Sequence, residues 1–199
     1  MREAANIADV KALKPDFIGL IFYPKSSRFV GEEPTEAQAA NLAPTKKVGV
    51  FVNNTEEYIL EKIEKFHLDL VQLHGAETPE LCKSLTEKGI SVIKAFSITD
   101  AADLENVSQY DGYTTYNLLD TKTPKVGGSG MKFDWNILGH YTSKTPFLLS
   151  GGLDIDDVEA IKALQHPALA GVDLNSKFEV APALKDAQKL EQFFKQLRN

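Results

Sequence analysis

The stretch "FLLSGGLDIDDVEAIKALQHPALAGVDLNS", residues 147–176, decides the fold class. It opens with a continuous apolar run and closes with a second one, "GVDLNS". Between the two runs, Val158, Ile161 and Leu164 recur at helical spacing, and Pro167 follows them. A helix between two buried strands predicts that the strands are parallel, because the crossing helix returns the chain to the same end of the sheet.

The same alternation runs through the rest of the chain. Apolar runs typical of buried parallel strands lie at 17–22, 47–52, 70–75, 91–96, 116–121, 147–152 and 171–176. No linker divides the chain, so we expect one α/β domain over residues 1–199. An open doubly wound sheet and a (β/α)8 TIM barrel both fit this order. The first helical pattern, residues 3–13, has no strand before it, which favours a barrel whose first β-strand is missing from this chain.

The composition argues against several classes of partner and site. The net charge is -6 and the pI about 5.3, which argues against nucleic acid or an anionic membrane as the main partner. No apolar run could span a bilayer, and the N-terminus is too polar for a signal peptide. The single cysteine, Cys82, lies in a helical pattern and predicts a packing role in a reducing cytoplasm. The four histidines lack ligand spacing, so we expect no metal.

Polar residues gather where the predicted strands end, the edge at which parallel α/β folds build active sites. Asp120 ends the run "YNLLD" and could act as a general acid or anchor a loop. Arg28 could bind a carboxylate or lie solvated on the surface. His74 in "QLHG" fits a packing or hydrogen-bonding role, with direct catalysis as the alternative. The glycine clusters at 127–130 and 151–152 could hold a phosphate or form plain turns.

Six motifs taken together resemble phosphoribosylanthranilate isomerase of tryptophan biosynthesis, over essentially the whole chain. They are "FIGLIFYPKSSRFV", "VGVFVN", "VQLHG", "LLDTKTPKVGGSGMKFDW", "LSGGL" and "GVDLNS". The resemblance implies a cofactor-free Amadori rearrangement of N-(5-phosphoribosyl)anthranilate to 1-(2-carboxyphenylamino)-1-deoxyribulose 5-phosphate. It implies that Asp120 is the general acid and that Arg28 and His74 bind substrate. The phosphate-binding residues that it implies are Gly128, Ser129, Gly130, Gly151, Gly152, Asn175 and Ser176.

The chain departs from the family pattern at two places. The family's general base is a cysteine in a Cys-Gly pair at the end of the first strand, and this pair would come before Met1. The resemblance therefore implies that residues 1–199 lack the base, and we expect this chain to have impaired turnover and reduced stability. Lys177 stands where the family more often carries glycine, and a lysine there could contact the phosphate.

Two other functions fit the same features. Another phosphosugar barrel enzyme, such as a relative of ribulose-phosphate epimerase or indole-glycerol-phosphate synthase, would need metal ligands or a catalytic lysine at a strand tip. Lys94 is the residue that supports this alternative. A phosphosugar-binding barrel without catalysis would fit the absent base. In each case the expected partner is a small phosphorylated molecule, and the chain is a monomer or a homodimer.

Overall fold

A curved parallel sheet forms the centre of the molecule. The structure, a computed structural model, describes residues 1–121 and 133–199. Within these residues each strand pairs in parallel with the next one along the chain, which confirms the predicted α/β class. The strands are β1 (Phe17–Ile21), β2 (Lys46–Phe51), β3 (Leu70–Leu73), β4 (Ser91–Ile98), β5 (Tyr116–Thr121), β6 (Phe147–Leu149) and β7 (Leu169–Val172).

Helices connect the strands and cover one face of the sheet. They are α1 (Ala4–Ala12), α2 (Glu36–Ala39), α3 (Glu56–Phe66), α4 (Pro79–Glu87), α5 (Val158–Ala163) and α6 (Ala187–Arg198). Short 3-10 helices lie at Ala101–Leu104, Val107–Tyr110, Trp135–His140, Ile155–Asp157 and Ser176–Phe178. Among the described residues, no helix combines the length and the apolar character needed to cross a membrane.

Alternate residues of the strands pack into two different cores. Leu70 and Ile93 belong to an inner cluster with Val48, while their neighbours Val71 and Val92 belong to a cluster that includes residues of α3 and α4. Successive strand residues point to opposite faces, and here both faces are buried. This explains why the strands read as continuous apolar runs. The inner cluster lies on the concave side of the curved sheet, and polar residues lie at the carboxyl ends of the strands.

The sheet is not closed by strand pairing within the described residues, because β1 and β7 are its two edges. Met1 lies beside β1, where its amino group donates to the carbonyl oxygen of Gly19 at 2.8 Å. Met1 and both edge strands line one cavity. The architecture is therefore a barrel open between β1 and β7, as predicted from a pattern that begins with a helix.

A small antiparallel hairpin follows β7 and contacts α1. It consists of β8 (Glu179–Ala181) and β9 (Leu184–Lys185). The Asn6 side chain accepts from the main-chain N–H of Lys185 and donates to its carbonyl oxygen, both at 2.8 Å. The sequence did not predict this hairpin, because strands of three and two residues are too short to show an alternating pattern.

The last two predicted strands end earlier than expected. β6 ends at Leu149 rather than at residue 152, because Gly151 and Gly152 have φ values of 94° and 65°, outside the extended region. β7 spans Leu169–Val172 rather than 171–176, and the chain then turns into a 3-10 helix at Ser176–Phe178. In both cases, residues assigned to a strand belong to the loop that forms the candidate site.

Candidate active site

A cavity of about 540 Å³ runs along the opening between β1 and β7, from residues that precede β1 to the carboxyl ends of the strands. Its floor includes apolar residues of the inner cluster, among them Val48, Ile93 and Leu118. Its polar wall is built from the residues at the strand tips. They are Gln72, His74, Asp120, Thr121, Ser150, Gly151, Gly152, Asp173, Asn175 and Ser176. An apolar cleft with a few convergent polar groups is the usual form of a small-molecule site.

Asp120 and His74 contact each other in the cavity wall. Asp120 is the fifth residue of β5, and His74 follows β3 directly. His74 Nε2 lies 3.3 Å from Asp120 Oδ2, and His74 Nδ1 lies 2.8 Å from Gln72 Nε2. The Gln72 amide nitrogen can only donate, so Nδ1 accepts and the ring N–H is on Nε2, facing Asp120. This bond orients Asp120, whose side chain remains 28% exposed.

Bare main chain from the loop after β6 faces the same cavity. A Cβ on Gly151 would overlap Thr121, and its φ of 94° is strained for any other residue, so both space and conformation require glycine there. Gly152, Asn175 and Ser176 line the cavity beside it. The structure thus brings four of the predicted phosphate-binding residues to one wall. Outside the described residues lie the other three: Gly128, Ser129 and Gly130.

The guanidinium of Arg28 is anchored by a buried carboxylate at the cavity wall. Arg28 Nη2 donates to Glu179 Oε2 at 2.5 Å, and Nε donates to the same oxygen at 2.9 Å. Lys185 Nζ lies 3.4 Å from Glu179 Oε1 and donates to Asn175 Oδ1 at 2.8 Å. The Glu179 side chain is 4% exposed and that of Arg28 is 12% exposed. This network joins the loop after β1 to the hairpin, across the opening between β1 and β7.

Glu179→Gln is expected to destabilise the fold in a pH-dependent way. Burial opposes the charge of Glu179, but Arg28 and Lys185 outweigh it and hold the pKa of this carboxyl below its ordinary value. The stabilisation is therefore complete above the unfolded pKa, about 4.3, and is lost as the pH falls through the folded pKa. The variant should lose about 3 kcal/mol of unfolding free energy at neutral pH and progressively less below about pH 4.

Thermal and urea unfolding at several pH values measure this loss. Glu159→Gln is the matched control, because the Glu159 side chain is 88% exposed beside Lys162 and its loss should change stability little. An equal loss of stability for Glu179→Gln at neutral and acidic pH would show that the charge of Glu179 is not the cause.

Asp173 is a second carboxylate at the strand tips, one that the sequence did not single out. It directly follows β7, and its Oδ2 accepts from Ser150 Oγ at 3.2 Å. Burial raises the pKa of Asp173, while the charge of Lys185 opposes this change and that of Asp120 adds to it. The available signal was its position in "GVDLNS", at the end of an apolar run. Asp120 and Asp173 are therefore two strand-tip carboxyl groups in different environments.

Two residues weighed from the sequence lie outside the cavity wall. Cys82 is fully buried on α4, and burial raises the pKa of its thiol to about 11, in keeping with the predicted packing role. Lys94 is also buried, with its ammonium group bound to main-chain carbonyls and to Glu77. Lys177, in contrast, lines the cavity. The strand lysine that supported another class of phosphosugar enzyme is thus not placed to meet a ligand.

The arrangement suits proton transfer on a phosphorylated ligand. A carboxyl group held by a histidine can give or take a proton at one side of the cavity. Unhindered glycine main chain and small polar side chains can bind phosphate oxygens at the other side. Arg28 and Lys177 also line the cavity and add positive charge to it.

Comparison with known proteins matches this chain to one family. The family model described as N-(5'phosphoribosyl)anthranilate (PRA) isomerase matches residues 1–196. N-(5'-phosphoribosyl)anthranilate isomerase of Parabacteroides distasonis is 50% identical to this chain, over 99% of the chain and 90% of its own length. The crystal structure of phosphoribosyl anthranilate isomerase from Thermotoga maritima is 33% identical, with a TM-score of 0.85 over 100% of this chain and 95% of that one.

A further similar crystal structure contains a ligand. It is described as phosphoribosyl anthranilate isomerase in complex with reduced 1-(o-carboxyphenylamino)-1-deoxyribulose 5-phosphate. It is 30% identical to this chain, with a TM-score of 0.81, and the match covers 100% of this chain and 95% of that one.

Proposed function

Because this chain belongs to the N-(5'-phosphoribosyl)anthranilate isomerase family, we propose that Asp120 is the general acid of its isomerisation reaction. The reaction belongs to tryptophan biosynthesis and converts N-(5-phosphoribosyl)anthranilate to 1-(2-carboxyphenylamino)-1-deoxyribulose 5-phosphate. The observation that carries the proposal is that Asp120 and the bare glycine main chain after β6 are neighbours in the cavity wall, where a Cβ on Gly151 would overlap Thr121, the residue after Asp120. A single sugar phosphate can therefore contact the proton donor and the anion-binding groups together.

The chemistry needs one acid and one base. Asp120 gives a proton to the ring oxygen of the ribose while the bond between C1 and that oxygen breaks, and the anthranilate nitrogen forms a Schiff base with C1. A general base then removes the proton from C2, which leaves an enolamine. Tautomerisation of the enolamine places a proton on C1 and forms the ketone at C2.

No redox cofactor is required for this reaction, because C1 is reduced and C2 is oxidised within the same molecule. The proposed binding groups follow from the positions of the residues at the cavity wall. Gly151, Gly152, Asn175 and Ser176 bind the phosphate, and Gly128, Ser129 and Gly130 are proposed to contribute from outside the described residues. Lys177 adds a positive charge at the same wall.

Arg28 is proposed to bind the carboxylate of the anthranilate ring. Its Nε–H and one N–H of Nη2 are used by Glu179, so three of its five N–H groups remain to be directed at a ligand. A guanidinium already held by a buried carboxylate loses little freedom on binding. His74 is proposed to bind substrate beside Asp120, and its Nε2–H also keeps the acid oriented.

The turnover of chemically prepared substrate tests this function. A chain that carries residues 1–199 together with the strand that the resemblance places before Met1, called the full chain below, should consume N-(5-phosphoribosyl)anthranilate, followed through the fluorescence of its anthranilate group. It should leave ribulose 5-phosphate unchanged and should not convert its own product further. Conversion of ribulose 5-phosphate in place of phosphoribosylanthranilate would favour an epimerase. Binding of a reduced product analogue without any turnover would favour a non-catalytic barrel.

The cellular context follows from the same proposal. We propose that the protein works in a reducing cytoplasm, where a lone buried thiol such as Cys82 stays reduced. The assembly is proposed to be a monomer or a homodimer, and sedimentation at several concentrations distinguishes the two.

A further inference from the structure

One buried side chain, Lys94, binds the main chain on both sides of His74. Lys94 Nζ donates to the carbonyl oxygen of Leu73 at 3.1 Å and to that of Gly75 at 2.8 Å. Leu73 and Gly75 are the chain neighbours of His74. Lys94 therefore fixes the two carbonyl groups that flank the residue facing Asp120.

Glu77 completes this anchor. Its Oε2 accepts from Lys94 Nζ at 3.2 Å and from the main-chain N–H of Gly75 at 2.8 Å, while its Oε1 accepts from the main-chain N–H of Asn53 at 2.8 Å. The side chains of Lys94 and Glu77 are 3% and 2% exposed. The ion pair thus joins the loops that follow β2 and β3 to β4, beneath the site. A Cβ on Gly75 would overlap Asn53, so the two loops also touch directly.

Stability alone does not account for this ion pair. Burial lowers the pKa of Lys94, against the opposing charge of Glu77, so the site disfavours an unpaired ammonium group. Replacing a buried ion pair by apolar groups is often neutral or stabilising, so such a pair has little net value for stability. The geometry that it fixes gives a better reason for its presence.

Substrate contact does not account for Lys94 either. Its ammonium group has three protons and four acceptors within 3.2 Å, the fourth being the carbonyl oxygen of Ala95 at 2.9 Å. All three ammonium protons are therefore used by acceptor groups of the protein itself. Lys94 is also absent from the described residues that line the cavity. Any effect on the reaction must therefore pass through the residues that it holds.

We propose that Lys94 and Glu77 are positioning residues that hold His74 with its Nε2–H directed at Asp120. The inference rests on the proposed role of Asp120 and extends it to groups that do not touch the substrate. Gln72 selects the tautomer of His74 through the hydrogen bond to Nδ1. The Lys94–Glu77 ion pair fixes the position of the imidazole ring.

The test is the double variant K94M/E77Q in the full chain, which removes both charges and leaves no unpaired buried ion. We expect kcat to fall about 10- to 100-fold, since a misplacement of about 1 Å can cost about 100-fold in rate, while KM changes less than about threefold. The 15N NMR signals of the His74 ring should change from one Nε2–H tautomer to a mixture. In a His74→Ala background, the double variant should lower kcat no further.

Lys47→Met is the matched control. Lys47 is 3% exposed, and its ammonium group binds the carbonyls of Gln38, Ala39 and Phe66 at the amino end of β2, far from the strand tips. This variant should lose stability yet keep kcat and the His74 spectrum. An unchanged kcat and an unchanged His74 spectrum in K94M/E77Q would overturn the inference, even where His74→Ala lowers kcat and the proposed function stands. An unchanged kcat in Asp120→Asn would instead overturn the proposed function, and the His74 spectrum would still decide the inference.

Discussion

Asp120→Asn is expected to lower kcat by about 100- to 10,000-fold, the range typical of a lost general acid. Asparagine has nearly the same shape, and its amide oxygen can still accept from His74 Nε2, which lies 3.3 Å from Asp120 Oδ2. It has no acidic proton to give to the ribose ring oxygen. The variant should therefore keep its affinity for a reduced product analogue while its kcat falls. Steady-state kinetics and calorimetric titration of the analogue measure the two effects separately.

Asp16→Asn is the matched control for this variant. Asp16 also lines the cavity, but it is exposed and precedes β1 at the amino end of the sheet, away from the strand tips. Its replacement removes a charge of the same sign from the same cavity and should leave kcat unchanged. Turnover of Asp120→Asn within threefold of the parent chain would show that another group protonates the ring.

The strands could be predicted because this fold buries both faces of its sheet. Every run chosen from the sequence overlaps an observed strand, from Phe17–Ile21 to Leu169–Val172. The ends were less certain, since "LSGG" continues an apolar run although Gly151 already has a positive φ. The pattern of apolar residues along the sequence indicates which residues are buried, but it does not indicate the residue at which the backbone turns.

The residues of the site that lie at strand ends could be predicted from the sequence. The contacts between residues that are far apart along the chain could not. Asp120, His74, Gly151 and Gly152 end or follow strands, so parallel topology alone brings them to one edge. Glu179 lies 151 residues from Arg28 along the chain, and only the folded hairpin brings them together. Nothing in the order of residues marks that pairing. The same holds for the ion pair between Lys94 and Glu77 beneath His74.

Residues 1–199 by themselves are expected to turn over at least 100-fold more slowly than a chain that carries one more strand, ending in Cys-Gly, ahead of Met1. The resemblance places the general base in that pair, and loss of a general base typically costs about 100- to 10,000-fold. The thiol within residues 1–199, Cys82, cannot replace it, because it is fully buried on α4 with a pKa of about 11. The measurement compares kcat for the two chains.

The added strand should also raise the thermal midpoint, for a reason separate from chemistry. It would lie between β1 and β7, the two edges of the described sheet, and would form main-chain hydrogen bonds with both. An extension ending in Ala-Gly separates the two contributions, since it should restore stability without restoring kcat, and Cys82→Ser should leave kcat unchanged in either chain. Full turnover by residues 1–199 would assign the base to a group already in the cavity. Asp173 would then be the first candidate, because its carboxyl lines the cavity after β7 and differs in environment from Asp120.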